Sequence, residues 1–388
     1  MPNPLAPHYS RFRVTERILL TGHSHQAWPD IAFEAQQRAW LDAAELVDAK
    51  WDRAFEQAAR VRAGFARLLG DAAENIALGQ NTHELVTRWL SALSFKTRRR
   101  IVTTDGEFHT IRRQLGRLGE EGLDIIRVPA RPVQELCARV AREVDDRTLA
   151  VMVSSVLFET AEIVPGLDRL AAVCEAHGAP LLVDAYHHLN VVPFDLRRMG
   201  LERAFVTGGG YKYCQLGEGN CFLRVPPVTR LRPVLTGWFA EFQALETANG
   251  QMAGVSYPPG AAAFAGATYD PTSHYRAAAV FDFHGAQALT PDRLRAISMH
   301  QVGVLGDAIT ALDLDPSKAR VVELAAEHRA GFLAVRSPHA TELARTLREN
   351  GVSADSRRDV LRLGPAPYVS DEQLREAVAK LSRVVTVL

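Results

Sequence analysis

The sequence predicts an α/β protein with two parts: a large domain with a mainly parallel sheet flanked by helices, and a smaller α+β domain at the C-terminal end. Short apolar runs alternate with helical segments at the spacing of βαβ units. The chain has 388 residues, of which 47% are hydrophobic, so it can bury more than one core. We expect residues 1–25 to form an N-terminal arm, 26–284 the large domain and 285–388 the small domain.

Composition narrows the classes of function. Lysine plus arginine and aspartate plus glutamate number 45 each, so no net charge would recruit nucleic acid or an anionic membrane. No apolar run approaches the ~20 residues that a membrane-spanning helix needs. The four cysteines lack CxxC spacing and predict neither a metal site nor a disulfide framework. We therefore expect a cytoplasmic protein with free thiols and with no nucleic-acid or membrane partner.

The predicted elements follow one another in a regular order. After an irregular segment over 1–20 and the loop TGHSHQAWPD, residues 32–69 show an alanine-rich helical pattern. The strands that we expect in the large domain are 76–78, 101–104, 125–128, 149–154, 180–183 and 204–207, with helices 133–144 and 167–177 between the later ones. A helix over 291–312 leads into the small domain, where GFLAVRS and VLRLGPAP predict strands around a helix at 340–349.

A helix that follows the strand at 76–78 predicts an anion site. Asn81 and Thr82 come directly before the periodic apolar residues Leu85, Trp89 and Leu93, so one of the two is the N-cap. The free N–H groups of the first helical turn and the helix dipole both favour an anion such as phosphate. An ordinary capped helix, without a ligand, is the alternative at this position.

The chemistry-bearing stretch is LLVDAYHHLNVVPFDLRRMGLERAFVTGGGYKYCQLGEGNC. An apolar strand ends at Asp184, and a second strand runs through three glycines to Lys212, which lies between two tyrosines. A lysine can form a Schiff base with pyridoxal 5'-phosphate (PLP), whose pyridine nitrogen needs an acid beside it. Lys212 and Asp184 fit these two roles at the carboxyl ends of strands. The alternative is a capping aspartate and a surface lysine.

VDAYHHLNVVPFD and GGGYKY together resemble the class V aminotransferase family of fold-type I PLP-dependent enzymes, and within it the kynureninases. The resemblance implies that the large domain binds PLP, that Lys212 carries it, and that Asp184 meets the pyridine ring. It also implies that the phosphate lies at the 81–83 turn, which includes His83, and that Phe108 after the 101–104 strand stacks on the ring. Further cofactor contacts implied by the resemblance come from His187, Tyr211 and, in LTGWF, Trp238.

The resemblance also implies a substrate site and a homodimer with shared active sites. DVLRLGPAPYVSDEQL is similar to a kynureninase segment whose arginine pairs with the substrate α-carboxylate, and Arg362 matches that arginine. His23 and Ser24 stand where kynureninases have a substrate loop. In FAGATYDPTSHY, Thr268 matches the residue that reaches the phosphate of the partner's cofactor, and Tyr269 and Asp270 replace the Ser-Asn pair that meets the substrate's aromatic amine.

These residues lead to three hypotheses of function. The first is a PLP-dependent enzyme for a small amino acid, of kynureninase type, that hydrolyses a Cβ–Cγ bond. The second keeps PLP but changes the reaction to β-elimination, C–S cleavage or transamination. Cysteine desulfurases of one type use a nucleophilic cysteine on a loop before the C-terminal arginine. That route is excluded here, because no cysteine follows Cys221. The third is a non-catalytic α/β protein that binds a nucleotide through its glycine run.

The sequence departs from the kynureninase pattern at four positions: His23, Ile111, Tyr269 and Asp270. Ile111 stands where kynureninases have an aspartate near the cofactor. An aspartate at 270 can only accept hydrogen bonds when it is ionised. We therefore expect a substrate with a donor-rich side chain, and slow turnover of kynurenine itself.

Overall fold

The computed structural model describes residues 3–244 and 254–387, and a seven-stranded sheet forms its centre. The sheet contains β2 (Ile76–Gly79), β3 (Arg100–Thr104), β4 (Asp124–Val128), β5 (Thr148–Ser154), β6 (Leu181–Asp184), β7 (Phe205–Gly209) and β8 (Cys221–Arg224). Their order is β2-β8-β7-β6-β5-β3-β4, and β8 runs antiparallel to both of its neighbours. The remaining pairs are parallel. The predicted mainly parallel sheet is confirmed.

Strand β5 is apolar between its two end residues because both faces of the sheet are covered there. Val151 and Val153 of β5 belong to one hydrophobic core, whereas Ala150 and Met152 belong to the core on the opposite face. All seven residues of β5 are buried. Alternation of polar and apolar residues would leave polar groups in a core, so continuous apolar runs are required here.

Helices cover both faces. They are α1 (Ile31–Leu46), α2 (Lys50–Leu69), α3 (Thr82–Ser91), α4 (His109–Glu120), α5 (Leu136–Glu143), α6 (Leu167–Ala176) and α7 (Thr272–Ala286). The single helical pattern expected over 32–69 is divided in two, because Val47 has a positive φ of 52° and ends α1. The other predicted helices of this region begin and end within about a turn of their expected bounds.

The C-terminal part has its own sheet and core. It contains α8 (Pro291–Thr310), β9 (Arg320–Val321), β10 (Leu333–Arg336), α9 (Ala340–Glu349), β11 (Val352–Ser353), β12 (Asp355–Arg357), β13 (Val360–Leu363) and α10 (Asp371–Val387). The sheet order is β12-β13-β10-β9, and every pair is antiparallel. The proposed domain limits at 25 and 284 remain a prediction.

The N-terminal residues pack against this C-terminal part. The short strand β1 (Ile18–Leu19) pairs in parallel with β11, and a 3₁₀ helix over Ala6–Phe12 precedes it. Leu5, Tyr9 and Leu20 share a hydrophobic core with residues between 289 and 385. The segment is therefore part of a packed unit, and it holds the loop that follows it, with His23, against β12 and β13.

The chain direction of the large sheet decides where polar side chains meet. Five strands end at the same edge of the sheet: β2, β3, β5, β6 and β7. The last four pair in parallel, and β2 runs in their direction because β8 is antiparallel to both β2 and β7. In open α/β sheets, ligands bind outside the carboxyl ends of the strands.

In the described residues, no helix is both long and apolar enough to cross a membrane.

Close packing of two helices gives a first prediction, on stability. A Cβ atom added at Gly64 of α2 would lie 2.3 Å from the Phe281 ring of α7. Gly64→Ala should therefore lower the free energy of unfolding by about 1–3 kcal/mol through overpacking. Denaturant unfolding of the purified protein measures this change.

Gly303→Ala is the matched control, because Gly303 also lies in a helix, α8, but has no atom within 4 Å of an added Cβ. That substitution should be neutral or slightly stabilising. Equal effects of the two substitutions would contradict the packing argument.

Candidate active site

Lys212 lies three residues after β7 and is 5% exposed. Its ammonium nitrogen is 4.7 Å from the centre of the Tyr186 ring and 5.2 Å from that of Phe108. A small cavity opens beside it, lined by Thr82, Phe108, Thr110, Ile111, Asp184, Tyr186, His187, Tyr211 and Lys212. The cavity thus brings together residues from the ends of β6 and β7, the start of α3 and the segment after β3.

The surroundings of the Lys212 amine shift its pKa. The pKa of Lys212 is lowered to about 7, mainly by burial; the Asp184 charge acts in the opposite direction, and the charges of Arg362 and Arg357 act in the same direction as burial. His187 is buried, and its pKa lies well below the ordinary value, so the imidazole is neutral at pH 7. Nζ of Lys212 and Nε2 of His187 share a hydrogen bond of 2.7 Å. A neutral amine fraction is therefore present at physiological pH.

Asp184 ends β6 inside the same cavity. Its Oδ1 accepts a hydrogen bond from the Tyr186 N–H over 2.8 Å, which fixes the orientation of the carboxylate. Burial raises the pKa of Asp184, whereas this hydrogen bond and the Lys212 charge act to lower it. A cationic N–H donor placed in the cavity would further favour the carboxylate form.

The turn before α3 has the geometry that the sequence predicts. Asn81 is the N-cap, and its side-chain oxygen accepts from the N–H of Glu84 over 2.8 Å. The N–H groups of Thr82 and His83 begin the helix, and Thr82 lines the Lys212 cavity. The positive end of the α3 dipole therefore faces this cavity, which is favourable for an anion.

Arg362 is on β13, and its guanidinium is largely buried. Nε and Nη2 donate to the two carboxylate oxygens of Asp355 over 2.9 and 2.5 Å, and Nη1 donates to the carbonyl oxygen of Phe158 over 2.7 Å. A guanidinium has five N–H donors. One N–H on each terminal nitrogen is left over, and the pair of them forms the end-on fork that can grip a carboxylate.

His23 supports this arginine from behind. Its ring is fully buried, and Nε2 donates to Oδ1 of Asp355 over 2.8 Å. Gly364 must be glycine here, since a Cβ would lie 2.3 Å from Nδ1 of His23. Ser24, the other residue of the predicted substrate loop, has its hydroxyl 3.2 Å from Nδ1 of His25.

Four of the predicted site residues do not line the Lys212 cavity of their own chain. Nε1 of Trp238 donates to the hydroxyl of Thr268 over 3.2 Å, and Tyr269 packs edge-on against Trp51 and His274. Tyr269 also lines a separate cleft of about 880 Å³ that includes neither Lys212 nor Asp184. Asp270 accepts from the N–H of Thr272 over 2.9 Å. The chain therefore does not bring this group to its own Lys212.

The sequence of the chain is similar to those of several known proteins. A family model described as the kynureninase C-terminal domain matches residues 294–381. A kynureninase from Deinococcus radiodurans is 28% identical over 340 residues, which are 84% of this chain and 78% of that protein. An uncharacterized aminotransferase, YcbU, from Bacillus subtilis is 23% identical over 337 residues, 86% of this chain and 85% of that one.

Solved structures agree on the fold. A C-DES mutant with glycine covalently linked to the PLP cofactor has a TM-score of 0.85 and 17% identity, and it covers 98% of this chain and 99% of its own. A cysteine desulfurase from Thermococcus onnurineus has a TM-score of 0.81 and 17% identity, with coverage of 100% and 99%. The chain is therefore similar, over most of its length, to kynureninase-like proteins of the class V PLP-dependent family. PLP is the cofactor of this family.

The residues present fit a class V cofactor site. An amine that can attack an aldehyde, a carboxylate for a pyridinium and a helix N-terminus for a phosphate all border one cavity. Phe108 offers a ring at the wall of that cavity, as the sequence predicts for a stacking residue, and Tyr211 lines it too. The donor set is therefore complete for the group, whereas no cluster of metal ligands exists among the described residues.

Sequence reasoning missed two acidic residues of this site. Asp355 lies directly opposite Arg362 in the β12–β13 pair, and a cross-strand opposite-charge pair in a short hairpin is a readable signal. Glu107 is fully buried, and burial raises its pKa to about 7 despite hydrogen bonds from Ser154 and Thr104. Glu107 comes one residue before Phe108, and this position was the sequence signal that could have identified it as a site residue.

Proposed function

We propose that this protein is a PLP-dependent enzyme acting on an amino acid, and that its reaction is a kynureninase-like hydrolysis of the bond between Cβ and Cγ. One observation carries the proposal: a buried amine with a pKa near neutrality, in hydrogen-bond contact with a neutral histidine, shares a cavity with a buried carboxylate. Perturbed groups that converge in this way are typical of catalytic sites.

Each residue has a role that its surroundings support. PLP, when bound, supplies an electron sink beside the substrate Cα. Lys212 binds the cofactor and then takes and returns the proton at Cα, and its low pKa suits it to both steps. Asp184 accepts a hydrogen bond from the ring nitrogen and keeps it protonated. His187 orients the Lys212 amine, and Phe108 covers one face of the ring.

Arg362 would hold the substrate α-carboxylate through its end-on fork. Asp355 and His23 fix the guanidinium, so little side-chain entropy is lost when the substrate binds. Because Asp355 already neutralises the charge of Arg362, binding of the substrate α-carboxylate would depend on two directed hydrogen bonds from the guanidinium. In the hydrolysis, the hydroxyl of a water joins the acyl carbon and Cβ receives a proton, so alanine and a carboxylic acid leave.

The two other hypotheses of function have less support. Elimination, C–S cleavage or transamination would use the same cavity, and YcbU is named an aminotransferase. All four cysteines are buried, so none is presented as a nucleophile. Nucleotide binding through the glycine run is disfavoured, because Gly209 and Gly210 are packed: added Cβ atoms would meet Tyr186 and Leu216 at 2.4 and 2.6 Å.

The reaction is tested on the purified enzyme loaded with PLP. An absorbance scan reports the bound cofactor, and three assays then separate the reactions. Kynurenine is followed by anthranilate fluorescence and alanine formation, cystine by release of pyruvate, and alanine with a 2-oxo acid by transfer of the amino group. Alanine and an aryl acid in equal amounts support hydrolysis, whereas pyruvate or amino transfer alone would replace it with the second hypothesis.

We further propose a homodimer in which Thr268 reaches the phosphate of the second copy's cofactor and Asp270 reads the substrate there. The supporting observations are that neither Thr268 nor Asp270 lines the Lys212 cavity of its own chain and that Trp238 is exposed. Hybrid dimers test the sharing. Thr268→Ala and Lys212→Ala chains, each impaired alone, should regain up to one intact site when mixed and reassembled; no recovery would argue against a shared site.

A second prediction concerns Asp270. Asp270→Asn should raise kcat/KM for kynurenine about tenfold or more, since polar groups left unpaired in a site built for another hydrogen-bond pattern are rejected strongly. Steady-state kinetics of both forms give the comparison. Asp282→Asn, on the exposed side of α7, is the control and should leave the value unchanged. Fast turnover of kynurenine that does not respond to Asp270→Asn would remove this residue from substrate recognition.

A further inference from the structure

The hairpin formed by β12 and β13 places basic residues at the mouth of the Lys212 cavity. Arg357 ends β12, and Arg358 follows it at the tip of the hairpin with a positive φ of 52°. Nη1 of Arg358 lies 3.7 Å from a carboxylate oxygen of Glu159. The neighbouring Phe158 ring packs edge-on against Phe108, with ring centres 5.3 Å apart. The hairpin tip thus borders the wall of the cavity.

Arg357 is the poorly compensated cation of this group. Its Nη1 lies 3.8 Å from Oδ2 of Asp355, beyond hydrogen-bond distance, and donates instead to the adjacent carbonyl oxygen of Ser356 over 2.7 Å. Both oxygens of Asp355 already accept from Arg362. A charged group that is partly shielded from water and shares a carboxylate already in use is available for another anion.

The charges around the mouth do not balance among the described residues. After burial, the charges of four guanidinium groups lower the pKa of His109, the residue beside Phe108: those of Arg112, Arg357, Arg358 and Arg362. The carboxylates that lie within 4 Å of these arginines are Asp355 and Glu159. Asp359 of the hairpin is taken by Arg336 outside the mouth. The α-carboxylate of a bound amino acid would compensate one excess charge and leave another. Burial and then several charges, Arg357 among them, lower the pKa of His187, so this excess extends into the cavity.

We propose that Arg357 binds a second anionic group, on the substrate side chain, so that the enzyme prefers amino acids with acidic side chains. The inference rests on the proposed function, because it needs an amino acid bound beside Lys212 and Arg362. It adds a substrate class: an α-amino acid whose side chain ends in a carboxylate or a similar anion. Kynurenine has no such group, so this proposal and the Asp270 prediction both expect slow turnover of kynurenine. They concern different parts of the side chain, since the anion would lie at Arg357 and the hydrogen-bond donors at Asp270.

The test uses the PLP-loaded enzyme and two pairs of ligands of equal size. L-Aspartate is compared with L-asparagine, and L-glutamate with L-glutamine, by titrating the change in visible absorbance. The acid should bind at least about tenfold more tightly than its amide in one of the pairs, since hydrogen bonds between two charged groups are the strong ones. The pair with the larger ratio reports how far Arg357 lies from Cα.

Variants assign the preference to Arg357. Arg357→Gln should bring the ratio close to one through weaker binding of the acid, with the amide unchanged within about twofold, and Arg357→Lys should restore part of it. Arg345→Gln removes an equally charged, exposed side chain from α9 of the same domain and should keep the ratio. Salt should weaken binding of the acid more than that of the amide.

Every outcome decides the proposal. Absence of acid preference in the wild-type enzyme, for both pairs, overturns it even if Arg357→Gln fails to fold. A preference that survives in folded Arg357→Gln overturns the assignment to this residue. If Lys212 carries the cofactor and no preference exists, the anion site alone is wrong; if Lys212 carries no cofactor, the proposed function fails instead.

Discussion

Lys212→Ala should abolish both the covalent attachment of PLP and essentially all turnover. The amine is the group that bonds to the cofactor and moves the proton at Cα, and alanine leaves neither function in place. In the wild-type enzyme, borohydride reduction should fix the cofactor to the peptide that contains Lys212. Mass spectrometry of the digested protein locates the label, and the visible absorbance before reduction gives its amount.

The chain offers a direct control for this experiment. The other lysines are Lys50, Lys96, Lys318 and Lys380. Lys380 pairs with Glu376 on α10, so Lys380→Ala removes an amine without touching the cavity. That variant should keep the label and full activity. A label on any of these four lysines in the wild-type protein would overturn the assignment of Lys212.

The second large effect is expected for Asp184→Asn, which should retain cofactor but lose most activity. An amide is neutral and cannot hold the proton on the pyridine nitrogen, so the electron sink weakens. Electrostatic contributions of this kind are worth about 2.7–4 kcal/mol, or roughly a hundredfold to a thousandfold in kcat. Fold should be retained, because an amide oxygen can still accept the hydrogen bond from the Tyr186 N–H.

The measurement is kcat with the best substrate, together with the cofactor content and the melting temperature. Asp195→Asn is the control, since Asp195 accepts from the Arg198 N–H outside the cavity. Turnover of Asp184→Asn close to that of the wild type would mean that the ring nitrogen has another partner.

Much of this arrangement could be predicted from local patterns. Strand ends are visible in sequence as apolar runs that stop at a polar residue, and parallel strands share one edge. Asp184, Lys212 and the Asn81–Thr82 turn are therefore predicted to meet although more than a hundred residues separate the first from the last. The resemblance to kynureninases added Phe108 and Arg362, whose types alone fit many buried or paired positions.

Other features depend on contacts that no local pattern contains. The strand predicted over 204–207 ends two residues later than expected, because Gly208 and Gly209 belong to β7 and allow Phe222 and Tyr186 to approach the backbone. His23 was expected to meet the substrate, whereas its ring donates to Asp355, which is 332 positions away. Such pairs are set by how the N-terminal segment and the small domain pack together.

This packing has a consequence for the protein during its synthesis. Leu5, Tyr9 and Leu20 are synthesised well before the residues between 289 and 385 that bury them, and Asn3 donates to the carbonyl oxygens of Pro367 and Val369. At the usual ~5–20 residues per second, these apolar side chains wait on the order of 20–70 s for their partners. The strands from β2 to β8 are complete long before that. The large sheet can therefore assemble during translation, while the N-terminal segment stays exposed to chaperones until the last helix has emerged.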